Sequence, residues 1–240
     1  MRTVLAAVVV LVALTGCGGG SGSSGQLTVF AAASLTDVFE RLEPDARYNF
    51  AGSDELATQL REGAEADAYA AASPRYPAEL HAEGVVEQPV TFATNRLVLV
   101  VPRDNPAGIR SLADVARNGV KLVIGAEGVP IGDYTREALE RARQAAVLRR
   151  VVSEEEDVKG VLGKVALGEA DAGFVYATDA RVAGDDVVAI ELPLAAAARI
   201  TYPVAVVSGS ARAERAREFV NLLLSAEGSR ALREAGFGTP

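Results

Sequence analysis

The sequence predicts an α/β fold of two lobes, each a mainly parallel sheet flanked by helices, with a ligand cleft between them. Three observations carry this prediction. Apolar β-type runs alternate with stretches of helical spacing along nearly the whole chain, the pattern of βαβ units and parallel sheets. The series occurs twice, once from Leu27 and again after Arg96. Two similar strand runs, Arg96 to Val101 and Tyr202 to Val207, stand at the seams, each beginning beside an Asn or a Tyr. A chain that builds one unit, then a second, then returns to the first makes two lobes with two crossovers, and such lobes close on a hinge. A single doubly wound sheet is the alternative; the duplication and the late return favour two lobes.

Taken in order, Leu27 to Ala31 reads as a strand, and Leu35, Val38, Phe39 and Leu42 follow the spacing of one helix face. Arg47 to Ala51 is a second strand and Asp54 to Glu62 a second helix. Asp67 to Ala72 is a third strand, followed by a helix near Pro77 to Glu83. In the second series, Arg96 to Val101 is a strand stopped by Pro102. Ser111 to Arg117 is a helix with a capping-box pair, Ser111 and Asp114. Lys121 to Gly125 is a strand, Ile131 to Ala146 a long helix with Pro130 at its first turn, and Val147 to Val152 a strand. Asp157 to Leu167 is a helix with Val158, Val161, Leu162 and Val165 on one face. Ala172 to Tyr176 is a buried strand and Val187 to Leu192 another. The chain ends with the seam strand, a helix over Ala211 to Leu224, and a helix over Ala226 to Ala235 stopped by Gly236.

The first sixteen residues precede this body. Met1-Arg2 is a positive start, and Val4 to Leu14 is an apolar run too short to span a bilayer but of the length of a secretory h-region. Leu14-Thr15-Gly16-Cys17 resembles the bacterial lipobox, in which the Cys is lipidated and the preceding segment removed. Residues 17–25 continue as a Gly/Ser tether with no side chain able to bury surface. The expected organisation is a signal peptide over 1–16, lipidated Cys17 and tether over 17–25, a first lobe from 26–91 plus 203–240, and a second lobe from 92–202. Cys17 is the only Cys, so the chain forms no internal disulfide.

Composition narrows the function. The 240 residues are 49% hydrophobic and 23% charged, a globular balance. The net charge is −8 with no basic patch, which argues against nucleic acid. The single His, His81, lies in Leu80-His81-Ala82-Glu83, a solvated helix face, so a Ser-His-Asp triad or a His-based metal site has little to draw on. Asp54, Asp133 and Asp157, the other candidate bases, sit where helix-start acids complement the dipole.

Ligands of open parallel sheets bind outside the carboxyl ends of strands, where helix N-termini offer free N–H groups. Five junctions qualify. Phe30-Ala31-Ala32-Ala33-Ser34 leads small residues to a Ser, with Asp37 three residues on; Phe50-Ala51-Gly52-Ser53 does the same. Alone, each reads first as a helix cap, Ser34 as a capping box with Asp37 and Ser53 as an N-cap. The others are Gly128-Val129-Pro130-Ile131-Gly132, the acids up to Asp157-Val158-Lys159, and Gly173-Phe174-Val175-Tyr176, whose Tyr hydroxyl would project from the strand end. None has Lys or Arg at its core. A site of hydroxyls and backbone N–H groups donates only, which suits a fully deprotonated dianion; phosphate keeps a proton and wants an acceptor.

These residues resemble the periplasmic molybdate-binding proteins of ABC importers. The resemblance runs in order through Val29-Phe30-Ala31-Ala32-Ala33-Ser34-Leu35-Thr36, Phe50-Ala51-Gly52-Ser53, Leu56-Ala57-Thr58-Gln59-Leu60 and Ala66-Asp67-Ala68. It continues through Asn95 to Pro102, Val129-Pro130-Ile131-Gly132, Asp157-Val158-Lys159, Gly173 to Tyr176, Tyr202 to Val207 and Gly236-Phe237-Gly238. Each motif is weak alone; the ordered set is specific. It implies a type II periplasmic-binding-protein fold. It also implies an oxyanion held by Ser34 and Ser53 from one lobe and by the N–H groups of Ile131 and Val158 and the Tyr176 hydroxyl from the other, with Ala33, Gly52, Pro130 and Asp157 supporting them. The implied ligand is molybdate, with tungstate beside it. Molybdenum would enter only as the oxyanion, without direct protein ligands, and no cofactor is expected. The implied partners are an ABC permease and its ATPase subunit, with the membrane reached through Cys17. The implied protein is an extracytoplasmic monomer on a cell surface or in a periplasm, and not an enzyme. Two departures stand out: Ile131 where the family often has Ala, and Asp54 directly after Ser53, whose carboxylate is expected to point outward along its helix. The rivals are a sulfate receptor, an organic-solute receptor, which would want Arg and large aromatics, and an enzyme on the same scaffold.

Overall fold

The computed structural model describes residues 25–240. The signal segment, Cys17 and the tether up to residue 24 lie outside the described residues. The chain builds two five-stranded sheets with helices on their faces.

In the first lobe, β1 (Thr28–Ala32) is followed by a short 3₁₀ turn and α1 (Thr36–Leu42), β2 (Arg47–Ala51), α2 (Ser53–Arg61), β3 (Ala68–Ala70) and α3 (Arg75–Ala82). β1 pairs in parallel with β2 and β3 on either side, the register running from Thr28 opposite Arg47 to Ala32 opposite Ala51. β4 (Val90–Asn95) completes this sheet at its far edge. In the second lobe come β5 (Leu97–Pro102), β6 (Leu122–Gly125), α4 (Pro130–Arg141), β7 (Val151–Glu155), α5 (Val158–Ala166), β8 (Ala172–Tyr176), α6 (Ala177–Ala183) and β9 (Val187–Glu191). β10 (Ile200–Val206) returns to the first lobe, followed by α7 (Ala213–Leu224) and α8 (Ala226–Glu234).

The sheet orders are β2-β1-β3-β10-β4 and β7-β6-β8-β5-β9, so the lobes repeat one plan. Each has one reversed strand: β10 runs antiparallel to β3 and β4, and β5 runs antiparallel to β8 and β9. The reason is the crossover. The parallel strands end at the cleft, and a chain crossing there must start its next strand at the cleft and run away from it. β5 and β10 are the two seam strands expected from the sequence.

The cores follow from burial on both faces. Val98 to Val101 of β5 are essentially unexposed, as a sheet covered on both sides requires. Val161 and Val165 of α5 are fully buried, each contributing roughly 1.5–3 kcal/mol by its removal from water. In the first lobe the Phe39 ring meets Phe219 edge-on at 5.2 Å and Phe92 at 5.9 Å, tying α1 to α7 and β4.

Several expectations are corrected. The seam expected between residues 91 and 92 falls inside β4, which stays in the first sheet through Asn95; the crossing is Arg96 alone. β4 is only partly buried and has no apolar run, so its pairing with β10 does not show in the sequence. The return likewise starts at Ile200, ahead of the expected residue 203. The helix expected to reach Ala146 stops at Arg141, where Arg143 adopts a left-handed conformation (φ 58°) and Gln144 N–H donates to the Leu139 carbonyl at 2.7 Å. That termination normally uses Gly, so it carried no signal. Val147 and Leu148 then lie in a 3₁₀ segment rather than a strand, and β7 begins at Val151. The Ser111–Asp114 capping box forms, on a 3₁₀ turn over Leu112–Ala116. α6 was not anticipated: its seven residues bury Thr178 and Asp179 and have no apolar period.

Candidate functional site

The carboxyl ends of β1, β2, β6, β7 and β8 converge on one small cavity between the lobes. It is lined by Ala32, Ala33, Ser34, Ala51, Gly52, Ser53 and Ala72 from the first lobe. Val129, Pro130, Ile131, Asp157, Val158 and Tyr176 line it from the second. All five residues expected to contact ligand, and all four expected to support them, therefore meet at one place. Its space open to the centre of a water molecule is about 20 Å³, which corresponds to a cavity roughly 3 Å in radius. That is the size of one tetrahedral oxyanion.

Two hydroxyls enter from the first lobe, in a manner the sequence did not give away. Ser34 is not a helix N-cap and makes no capping box with Asp37: it lies in the 3₁₀ turn Ala33–Leu35 ahead of α1, and its Oγ is 3.0 Å from the Tyr202 hydroxyl. Ser53 is likewise not the cap; Gly52 takes that position and Ser53 opens α2. The Ser53 Oγ accepts the Ala72 N–H at 3.0 Å, while its own carbonyl accepts from Tyr69 at 2.6 Å. Because a backbone amide can only donate, the Ser53 hydroxyl proton is directed away from Ala72.

From the second lobe, Ile131 is the second residue of α4, behind Pro130. Val158 is the first residue of α5, whose N-cap Asp157 accepts the Gly160 N–H at 2.9 Å. At these positions an N–H has no acceptor within its own helix, and the dipole adds positive potential. The Asp157 carboxylate is thus engaged in capping although the residue lines the cavity. Tyr176 ends β8 and is 2% exposed, yet its hydroxyl has no hydrogen-bond partner. Burial raises its pKa well above the ordinary phenol value, so it stays a protonated donor.

No Lys or Arg lines the cavity. Lys159 at the start of α5 is engaged elsewhere: its Nζ lies 3.3 Å from Asp37 Oδ2 across the cleft and 3.4 Å from Asp179 Oδ1 within the second lobe. Asp179 is fully buried, and burial raises its pKa to about 7 against the opposing pull of Lys159. Asp54 does not point outward as expected. Its Oδ1 is buried without a hydrogen-bond partner and sits 2.7 Å from where a Cβ on Gly52 would be. Burial raises its pKa, with Asp133 and Asp157 adding to the shift.

The lobes touch around the cavity. Tyr76 donates to the Gly128 carbonyl, and Arg75 Nη1 lies 3.7 Å from Asp133 Oδ2. A Cβ on Gly52 would stand 2.6 Å from the Glu156 carbonyl oxygen, so the two backbones approach too closely there for any side chain. Behind the lining, Tyr202 and Asn95 support Ser34, with Asn95 Nδ2 3.4 Å from the Tyr202 hydroxyl. The seam pattern marked both residues without suggesting a role.

Comparison with known proteins agrees with the fold. The family of bacterial extracellular solute-binding proteins matches over residues 27–238. The molybdate-binding protein ModA of Mycobacterium tuberculosis is 36% identical over 260 residues, covering 100% of this chain and 98% of that protein. ModA of Haemophilus influenzae is 31% identical, covering 93% of this chain and 94% of that one. The periplasmic molybdate-binding protein of Azotobacter vinelandii superposes with a TM-score of 0.80 over 90% of this chain and all of that one, at 18% identity, which speaks for the fold. With its two repeated lobes, its interlobe cavity and these relatives, the chain belongs to the bacterial extracellular solute-binding protein family, alongside the molybdate-binding ModA proteins.

Proposed function

We propose that this protein captures molybdate, and with it tungstate, between its lobes and delivers the anion to the permease and ATPase of an ABC importer. The observation that carries the reading is the buried Tyr176 hydroxyl, left without a partner in an oxyanion-sized cavity that offers donors and no cationic side chain. In this reading the ligand oxygens take the hydroxyls of Ser34, Ser53 and Tyr176 and the N–H groups of Ile131 and Val158. Such bonds to an anion are worth about 1.5–3 kcal/mol each. Five or six of them, offset by desolvation and lobe closure, leave a net near 8 kcal/mol, roughly micromolar affinity. The protein acts as a receptor rather than a catalyst, a monomer held outside the cytoplasm by a lipid on Cys17, with no resident cofactor.

Donor-only chemistry also sorts ligands. A fully deprotonated dianion meets a proton at every contact, whereas hydrogen phosphate brings a proton that needs an acceptor. Sulfate passes this test as well, so size must separate it from molybdate. Calorimetric titration of the purified protein with molybdate, tungstate, sulfate and phosphate tests the proposal. Tight binding of the first two, with sulfate and phosphate silent, is expected. Tight sulfate binding would reassign the ligand, and silence with all four would refute the oxyanion reading.

A further inference from the structure

We propose that Asn95 and Tyr202 form a hydrogen-bond relay that locks the Ser34 hydroxyl as a donor toward the bound anion, which makes them positioning residues for ligand selection. The inference deepens the oxyanion reading and rests on it. It starts from a fixed point. Asn95 is the last residue of β4, and its Oδ1 accepts the Arg96 N–H at 2.9 Å. A backbone N–H can only donate, so the oxygen and nitrogen of the Asn95 amide are assigned by that bond.

Its Nδ2 then has two protons to place and two oxygens to receive them: Thr178 Oγ1 at 3.0 Å and the Tyr202 hydroxyl at 3.4 Å. The Tyr202 oxygen is therefore an acceptor toward Asn95. Tyr202 is fully buried, and its own proton needs a partner. Ser34 Oγ, 3.0 Å away, is the acceptor within reach. Burial raises the Tyr202 pKa well above the usual phenol range, so the proton stays on the tyrosine.

Ser34 Oγ is thereby occupied as an acceptor, and its hydroxyl proton is turned toward the cavity it lines. Ser53 reaches the same state by a different route, its Oγ held by the Ala72 amide. In one serine the direction is fixed by backbone; in the other it depends on two side chains. The relay also spans the crossover, since Thr178 belongs to α6 of the second lobe and Tyr202 to β10 of the first. An oxyanion presenting a bare oxygen to Ser34 is accepted. One presenting an O–H meets proton against proton.

The test is a double-mutant cycle of Tyr202→Phe with Ser34→Ala, read by calorimetric titration with sodium molybdate, together with Asn95→Asp. In the Asp variant a carboxylate replaces the donor and takes the Tyr202 proton itself. Tyr202→Phe and Asn95→Asp are each expected to weaken molybdate binding by about 10-fold, the loss of one oriented bond. In the Ser34→Ala background the effect of Tyr202→Phe should shrink to less than about 2-fold, because the residue acts through Ser34. A merely structural tyrosine would cost the same in both backgrounds, and that result, or unchanged binding by both single variants, overturns the relay. Failure of the wild-type protein to bind molybdate, tungstate or sulfate would instead overturn the oxyanion reading and the relay with it. Wild-type binding with an additive cycle overturns the relay alone.

Discussion

Replacing Tyr176 by Phe removes one oxygen atom and should move stability and binding in opposite directions. The hydroxyl is buried and has no hydrogen-bond partner in the protein. A buried polar group in that state costs about 1–3 kcal/mol. Tyr176→Phe relieves that cost while keeping the ring, which packs against Tyr202 at 5.9 Å. For a chain of this size each kcal/mol moves the melting temperature by about 2–4 °C, so the ligand-free variant should melt a few degrees higher than wild type. Binding should suffer. In the proposed binding mode the phenol is one of the donors offered to the anion, and a hydrogen bond to a charged partner is worth about 1.5–3 kcal/mol, so affinity for molybdate should fall by roughly 10–150-fold. Thermal melts with and without saturating molybdate read both quantities at once, since ligand stabilises in proportion to the logarithm of its concentration over Kd. A variant that melts below wild type without ligand, or that binds molybdate as tightly, refutes the reasoning: in the first case the hydroxyl has a partner, in the second it does not face the anion.

Gly52→Ala should leave the fold intact and block closure, because the new Cβ would stand 2.6 Å from the Glu156 carbonyl of the opposite lobe. Molybdate binding should be lost at concentrations that saturate wild type, and small-angle scattering should show no ligand-induced compaction; full affinity would refute this. Asp179 gives a pH dependence. Its folded pKa of about 7 lies above the ordinary carboxylate value of 3.8, so its ionisation cost is absent in acid, grows as pH rises from about 4 to 7, and is complete above that. Asp179→Asn should therefore raise the melting temperature at pH 8 more than at pH 5, by the equivalent of up to a few kcal/mol. An equal shift at both pH values would show that Lys159 already compensates the charge.

Much of the architecture was legible in the sequence because it rests on local pattern. The change of period between Phe30 and Leu35, and again between Ile124 and Ile131, marks a strand giving way to a helix wherever the chain is read. Small residues before Ser34 and Ser53, Pro130 at the head of α4 and Asp157 ahead of α5 mark where backbone lines the cavity or a helix begins. Those cues placed five junctions, and parallel-sheet topology then requires their strand ends to share one edge of each sheet.

Direction and charge state were decided by the tertiary structure alone. Ser34 reads as an N-cap from its neighbours, but its partner is Tyr202, 168 residues away. Ser53 answers to the Ala72 amide, and Asp54 turns back over Gly52 instead of outward. β4 has no strand signature of its own and exists because β10 returns to pair with it, which is why the first crossover lies at Arg96 rather than residue 92. The physical reason is common to these cases. A periodicity reports which face of an element is apolar, and that is a property of consecutive residues. The proton a hydroxyl donates, the pKa a buried carboxylate adopts and the strand an edge accepts are set by whatever the fold brings within about 3 Å, and such neighbours leave no trace in local sequence.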